Sequence, residues 1–171
     1  MAKMYVDPRT NKLVKYLTGV VQHYNPEKYW RYREIVVDPK SKWPKIIKLY
    51  MLYYIKKCDA FNNASLGTDI NQGAVFKSRP ELPHGLNGII VHLKAQFGEN
   101  AMIYQQVTVG SMKGGTPQFG DNVVLGAGCK VLGGVKIGNN VKIGANAVVI
   151  KDVPDNATVV PQPVRIIEHN E

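Results

Sequence analysis

A period of six residues, held over six successive units, constrains this chain more than any other feature. From Phe119 the sequence divides into FGDNVV, LGAGCK, VLGGVK, IGNNVK, IGANAV and VIKDVP. The first position reads Phe119, Leu125, Val131, Ile137, Ile143 and Val149, and the fifth Val123, Cys129, Val135, Val141, Ala147 and Val153. Glycine fills the second position in four of the six. A period of six is neither the 3.6 of a helix nor the 2 of a plain alternating strand. An aliphatic first position and a small or β-branched fifth position are both expected to point inward. Gly or Asn between them allows the positive φ that a tight corner needs.

The same frame runs backwards through VHLKAQ (from Val91), FGENAM (Phe97), IYQQVT (Ile103) and VGSMKG (Val109). Val109 and Phe119 are ten residues apart, so four extra residues lie within SMKGGTPQ, read as an exposed loop. LGTDIN from Leu66 also fits the frame, followed by a less regular stretch through Leu82–Gly88. Three hexads make one triangular coil of about 18 residues, and coils stack at the strand spacing of roughly 4.8 Å. One coil cannot bury its own interior, so the stack must form cooperatively. The expected fold is mainly β, a left-handed parallel β-helix of hexapeptide repeats with a helical N-terminal region. A Gly-rich sandwich would not keep six-residue phase for so long.

The helical expectation rests on NPEKYWRYREIV and WPKIIKLYMLYYIKK. The second of these starts after Pro44, a residue suited to a first turn. Its Ile46, Ile47, Leu49, Tyr50, Leu52, Tyr53 and Tyr54 cover more than one helical face and are expected to bury against a neighbour. The division is therefore a helical cap over residues 1–58 and a β-helix with a short tail over 59–171. Charge follows the same division. Residues 1–58 carry 13 Lys and Arg against 4 Asp and Glu, and residues 59–171 carry 9 of each. Two roles stay open for the basic segment: capping the β-helix, or resting against an anionic membrane surface. Nucleic-acid binding has only net charge in its favour, with no recognition motif. No 18-residue apolar run and no apolar leader is present, so a cytoplasmic location is expected. Cys58 and Cys129 form neither a CxxC nor a metal-ligand pattern, and Cys129 is expected to be a buried, inert core thiol.

The stretch LPHGLNGIIVHLKAQFGENAMIYQQVTVG, with the hexads that follow it, resembles the serine acetyltransferases. It is still more similar to relatives associated with capsule and surface-polysaccharide synthesis, which acetylate sugars. The resemblance implies an acetyl-CoA-dependent O-acetyltransferase working by direct attack of a hydroxyl on the thioester. It implies His84, in LPHG, as general base, and Asp69, 15 residues earlier in an Asp-Ile pair, as its carboxylate partner. Nearly one coil of separation is expected to put the two on neighbouring levels. Histidine near its pKa can take a hydroxyl proton and return it to the thiolate, while a carboxylate fixes its tautomer. His92 is the competing base; His23 and His169 lie outside the repeats and receive no role.

The resemblance further implies acetyl-CoA along the outside of the coils, at Ala127, Ala145 and Lys142, with Gly110 and Ser111 near the thioester. Ala127 and Ala145 also suit a tight corner, and Lys142 a solvated surface. Gln105 and Gln106 are candidates for the acceptor side. A homotrimer is implied, with sites between neighbouring β-helices. The chain departs from the serine-acetylating pattern at Pro83, where an aspartate is expected, and at Gly115 and Thr116, where an Arg-His pair is expected. Those departures point to a saccharide acceptor in surface polysaccharide synthesis. Serine O-acetylation and a non-catalytic scaffold remain as alternatives. No metal is expected, since a zinc site like that of the γ-class carbonic anhydrases needs three histidines and the β-helix holds two, His84 and His92.

Overall fold

A computed structural model describes residues 12–162. The first eleven residues of the expected cap, and the tail from residue 163 with His169, lie outside the described residues. Three helices come first: α1 (Lys12–Val21), α2 (Pro26–Val37) and α3 (Lys45–Phe61). The α2 helix starts where Asn25 accepts from the Lys28 amide through its side chain and Pro26 fills the first turn. Pro44 precedes α3, and Asn62 closes it by donating its amide to the last carbonyls.

Fourteen short strands follow. They are β1 (Thr68–Asp69), β2 (Gln72–Gly73), β3 (Val75–Phe76), β4 (Ile90–Val91), β5 (Gln96–Phe97), β6 (Met102–Ile103) and β7 (Thr108–Gly110). Then come β8 (Gln118–Phe119), β9 (Val124–Leu125), β10 (Lys130–Leu132), β11 (Lys136–Ile137), β12 (Lys142–Ile143), β13 (Val148–Val149) and β14 (Thr158–Val159). After the β1–β2 hairpin, every pairing between these strands is parallel and sorts them into three faces of four. The first face is β4-β7-β10-β13, the second β3-β5-β8-β11 and the third β6-β9-β12-β14. Partners such as Lys130 and Val148 are one coil apart, while Thr108 pairs with Lys130 across the four-residue insertion. This is a parallel β-solenoid of hexapeptide repeats, a left-handed β-helix with helices at its N-terminal end.

Both inward positions of the hexads are buried. Leu125, Val131, Ile137, Ile143 and Val149 line the interior from the first position, Val123, Cys129, Val141 and Ala147 from the fifth. Each aliphatic group contributes on the order of 1.5–3 kcal/mol. Burial pushes the Cys129 thiol up to about 12, consistent with an inert core residue. On the second face the first positions form a ladder of stacked rings: Phe76 on Phe97 at 4.6 Å, and Phe97 on Phe119 at 4.3 Å. The edge between second and third faces is an asparagine ladder. Asn100, Asn122, Asn140 and Asn156 all take positive φ, and each side-chain amide donates to the next carbonyl at 2.9–3.1 Å. Asparagine supplies both the left-handed corner and the bond to the coil below.

Two expectations change. LGTDIN is not a hexad: Thr68–Gly73 leaves the coil as an antiparallel hairpin, because Arg33 of α2 claims its base. Arg33 is buried and donates to Thr68 Oγ1 at 3.1 Å and to the carbonyls of Leu66 and Ala74 at 3.0 and 2.6 Å. The aliphatic and aromatic run of α3 also does not bury as a whole. Its inward side is Lys48, Met51, Ile55, Cys58 and Asp59, while Ile46, Leu49, Tyr50 and Tyr53 face outward.

Candidate functional site

His84 stands at the edge between the third and first faces. Glu81 still lies on the third face, bridging to Met102. The chain then turns through Pro83–Gly88 and enters β4. Gly85 and Gly88 take positive φ, and a Cβ on Gly88 would meet the Gln106 side chain at 3.1 Å, so the turn sits directly on the coil below. Gln106 donates its amide to the Asn87 carbonyl at 2.9 Å. The His84 side chain is exposed, and its ring meets the edge of Tyr104 with centroids 5.9 Å apart. No other group among the described residues hydrogen-bonds to it, so the imidazole is open to a substrate.

The same edge continues down the stack. Gly128 donates to the Gln105 carbonyl at 2.9 Å, and Asn146 to the Ala127 carbonyl at 2.8 Å. Ala127 and Ala145 therefore lie in one column beneath His84. Lys142, exposed on β12, stands three residues before Ala145 on the third face. Gly126 and Gly144 occupy this edge too, and a Cβ on Gly126 would meet the backbone of Ala145 at 2.7 Å. The result is a narrow edge of small residues with two cations beside it, Lys142 and Lys130, whose Nζ donates to the Gly128 carbonyl at 3.1 Å; the small residues let an extended ligand approach the backbone closely. Gln105 adds a buried side-chain oxygen with no hydrogen-bond partner among the described residues.

Asp69 lies elsewhere. Ser65 bridges to Ile90, and Gly67 sits over His92 and Leu93, so the hairpin bearing Asp69 springs from the edge between first and second faces. Its carboxylate accepts from the Ile70 amide at 2.7 Å and from Gln72 Nε2 at 3.3 Å. Within one chain it does not meet His84: the width of the first face, roughly five residues at ~3.3 Å each, separates them. Neighbouring levels do hold the two residues, but at opposite edges. The turn at 83–88 and the hairpin at 68–73 displace each from the hexad path.

Gly110 and Ser111 share the Asp69 edge rather than the Ala127 edge. Ser111 donates its hydroxyl to the Gly115 carbonyl at 3.1 Å, closing the small loop in which Met112 and Gly115 pair. Thr116 Oγ1 and His92 Nδ1 stand 3.4 Å apart at the base of that loop, and His92 Nδ1 also accepts from the Lys94 amide at 3.2 Å. His92 is thus engaged locally where His84 is open. Among the described residues no group of three or more His, Cys, Asp or Glu is placed to hold a metal ion. Tyr104, the ring beside His84, carried a signal in the sequence: it fills a hexad second position where glycine is usual.

Fold and edge geometry place the chain among hexapeptide-repeat β-solenoids, and comparison with known proteins agrees. Residues 116–151 match the family model described as bacterial transferase hexapeptide (six repeats). The serine acetyltransferase of Mycobacterium tuberculosis is 43% identical over 115 residues, covering 65% of this chain and 50% of that protein. A serine acetyltransferase of Neisseria gonorrhoeae in complex with serine superposes with a TM-score of 0.55 at 34% identity, covering 71% of this chain and 48% of that one. A serine acetyltransferase in complex with CoA gives a TM-score of 0.61 at 26% identity, covering 82% and 54%. The chain spans about half the length of the curated relatives it matches.

These relatives overturn the saccharide acceptor and the link to polysaccharide synthesis expected from Pro83, Gly115 and Thr116: they are named serine acetyltransferases. The physical reason is that Pro83, Gly115 and Thr116 mark charged groups that are missing, and a missing group does not by itself specify a carbohydrate acceptor.

Proposed function

We propose that this protein is an acetyl-CoA-dependent O-acetyltransferase whose acceptor is the hydroxyl of serine, with His84 as general base. The observation that carries the reading is the open His84 imidazole at the head of the Gln105–Ala127–Ala145 edge, in a chain of which 115 residues align at 43% identity with a serine acetyltransferase. The pantetheine and nucleotide of acetyl-CoA are assigned to that edge, where Ala127 and Ala145 permit close approach and Lys142 offers a cation to a phosphate. His84 takes the proton as the serine oxygen attacks the thioester carbonyl. The tetrahedral adduct then collapses, the carbon–sulfur bond breaks, and the imidazolium returns its proton to the leaving thiolate. The products are O-acetylserine and CoA. Acetyl-CoA is a cytoplasmic metabolite, so the reaction is assigned there.

The second part of the proposal is a homotrimer. Three prisms with the first face turned toward a common axis bring the His84 edge of one copy to the Asp69 edge of the next. Such a contact joins His84, Ala127, Ala145 and Lys142 to the Asp69, Gly110, Ser111 and Thr116 of a neighbour. It also supplies the carboxylate that His84 lacks within one chain. Exposed Ile90 and Val148 on the first face support burial there.

Incubation with acetyl-CoA and L-serine, followed by mass spectrometry, tests the reading. It predicts O-acetylserine in step with free thiol; thiol release without any acetylated serine would refute the acceptor. Sedimentation is expected to give the mass of three chains, and a stable, active monomer would refute the shared site.

A further inference from the structure

The helical region turns an apolar face away from the core. On α3, Ile46, Leu49, Tyr50 and Tyr53 recur at i, i+3, i+4 and i+7, and each is about half exposed or more. Trp43 just ahead of the helix is 52% exposed, and Phe61 at its last position 55%. The stripe follows a helix of 17 residues, about 25 Å at ~1.5 Å per residue. Lys40, Lys42, Lys45, Lys56 and Lys57 are all exposed in the same segment. The one acidic residue between 39 and 61 is Asp59, which is buried against Tyr29.

We propose that this face of α3 lies in the plane of an anionic lipid surface. An apolar stripe on a basic helix is the arrangement that seats a helix at the boundary of headgroups and acyl chains. Trp43, Tyr50 and Tyr53 are of the types that favour that boundary. Lysines at the helix ends lay their stems along apolar surface and extend their ammonium groups to phosphates. No helix among the described residues is long and apolar enough to cross a membrane, so the contact is one of lying on the surface. Charge decides against a second copy as the occupant. A two-fold contact of α3 with α3 would bring Lys45, Lys56 and Lys57 of both copies together, with no exposed acid on the segment to neutralise them. An anionic surface supplies that complement.

The full chain is mixed with vesicles of phosphatidylcholine, alone or with phosphatidylglycerol, and sedimented. Binding is expected to the phosphatidylglycerol vesicles, weakening as salt is raised. The emission of Trp43 is expected to shift to the blue, while Trp30, buried at 4% exposure, stays unchanged. Lys45→Glu with Lys56→Glu and Lys57→Glu should lower partitioning by about 10²-fold or more, at roughly fivefold per lysine. Circular dichroism of that variant should match the parent, since all three side chains are exposed. No binding to anionic vesicles, equal binding to neutral ones, or undiminished binding by the lysine variant would overturn the proposal. So would an assembly that Leu49→Glu with Tyr53→Glu dissociates while the parent ignores vesicles; that result would assign the face to a second copy.

Discussion

Replacing Arg33 by Met should loosen the joint between the helices and the first coil. Arg33 is 3% exposed, and its guanidinium donates to Thr68 Oγ1, the Leu66 carbonyl and the Ala74 carbonyl. It also lies 4.9 Å from the Phe76 ring and 5.4 Å from the Trp30 ring. Burial pulls its pKa down to about 10, still charged at neutral pH. Met keeps the apolar stem but strips two buried carbonyls of a donor, at ~1–3 kcal/mol each. Against this stands the desolvation of the cation, which the variant no longer bears. The net loss is therefore about 2–4 kcal/mol. Arg33→Lys should fall between, since one ammonium cannot reproduce the planar fork. Urea unfolding followed by far-ultraviolet circular dichroism gives the loss, and the emission of Trp30, packed at this joint, reports whether the helices release first. A change below about 0.5 kcal/mol in Arg33→Met would refute the argument that this cation organises the hairpin bearing Asp69.

Asn122→Ala should cost ~2–3 kcal/mol, because alanine at φ +57 is strained and two ladder bonds are lost; Asn122→Gly should cost only ~1 kcal/mol, having lost the bonds alone. Equal losses in urea unfolding would contradict the split. Burial pushes the Asp59 carboxyl from 3.8 up to about 6, against the pull of the Tyr29 hydroxyl and of Lys56 and Arg33. The folded state then holds this proton more tightly than the unfolded chain. Its contribution to stability is complete below about pH 4 and is lost as pH rises to about 6. Asp59→Asn should remove that fall, and thermal unfolding curves that stay parallel for parent and variant across this window would refute it. Mixing His84→Ala copies with Asp69→Ala copies by co-refolding should restore activity at about a quarter of sites if each site spans two copies, and at none if it lies within one.

The solenoid was legible because its period reports a physical constraint: every sixth side chain has to fit one closed interior. Phe119 through Val149 announce it, and the glycines and asparagines between them announce the corners. The β1–β2 hairpin was hidden, because Thr68–Gly73 reads as an acceptable hexad until Arg33, some 35 residues earlier, is seen to claim its base. The outward face of α3 was hidden for a related reason: an apolar helix read alone says that it wants a partner, not which partner. Candidate site residues could be named from the sequence, since His84 sits in a recognisable segment and Ala127 and Ala145 recur one coil apart. Their division between two edges was not. Edge membership depends on how the irregular turns at 83–88 and 111–118 interrupt the count, and only coordinates resolve that.

The central claim is that His84 carries proton transfer in acetyl transfer from acetyl-CoA to serine. Its most direct test is the rate of CoA release with L-serine for the parent, His84→Ala and His92→Ala, each shown by circular dichroism to hold the same fold. His84→Ala is expected to lose roughly 10²–10⁴ in kcat, the range for a general base, and His92→Ala to change much less. A His84→Ala protein that turns over serine at near the parent rate, or a His92→Ala protein that is the more impaired, would contradict that claim.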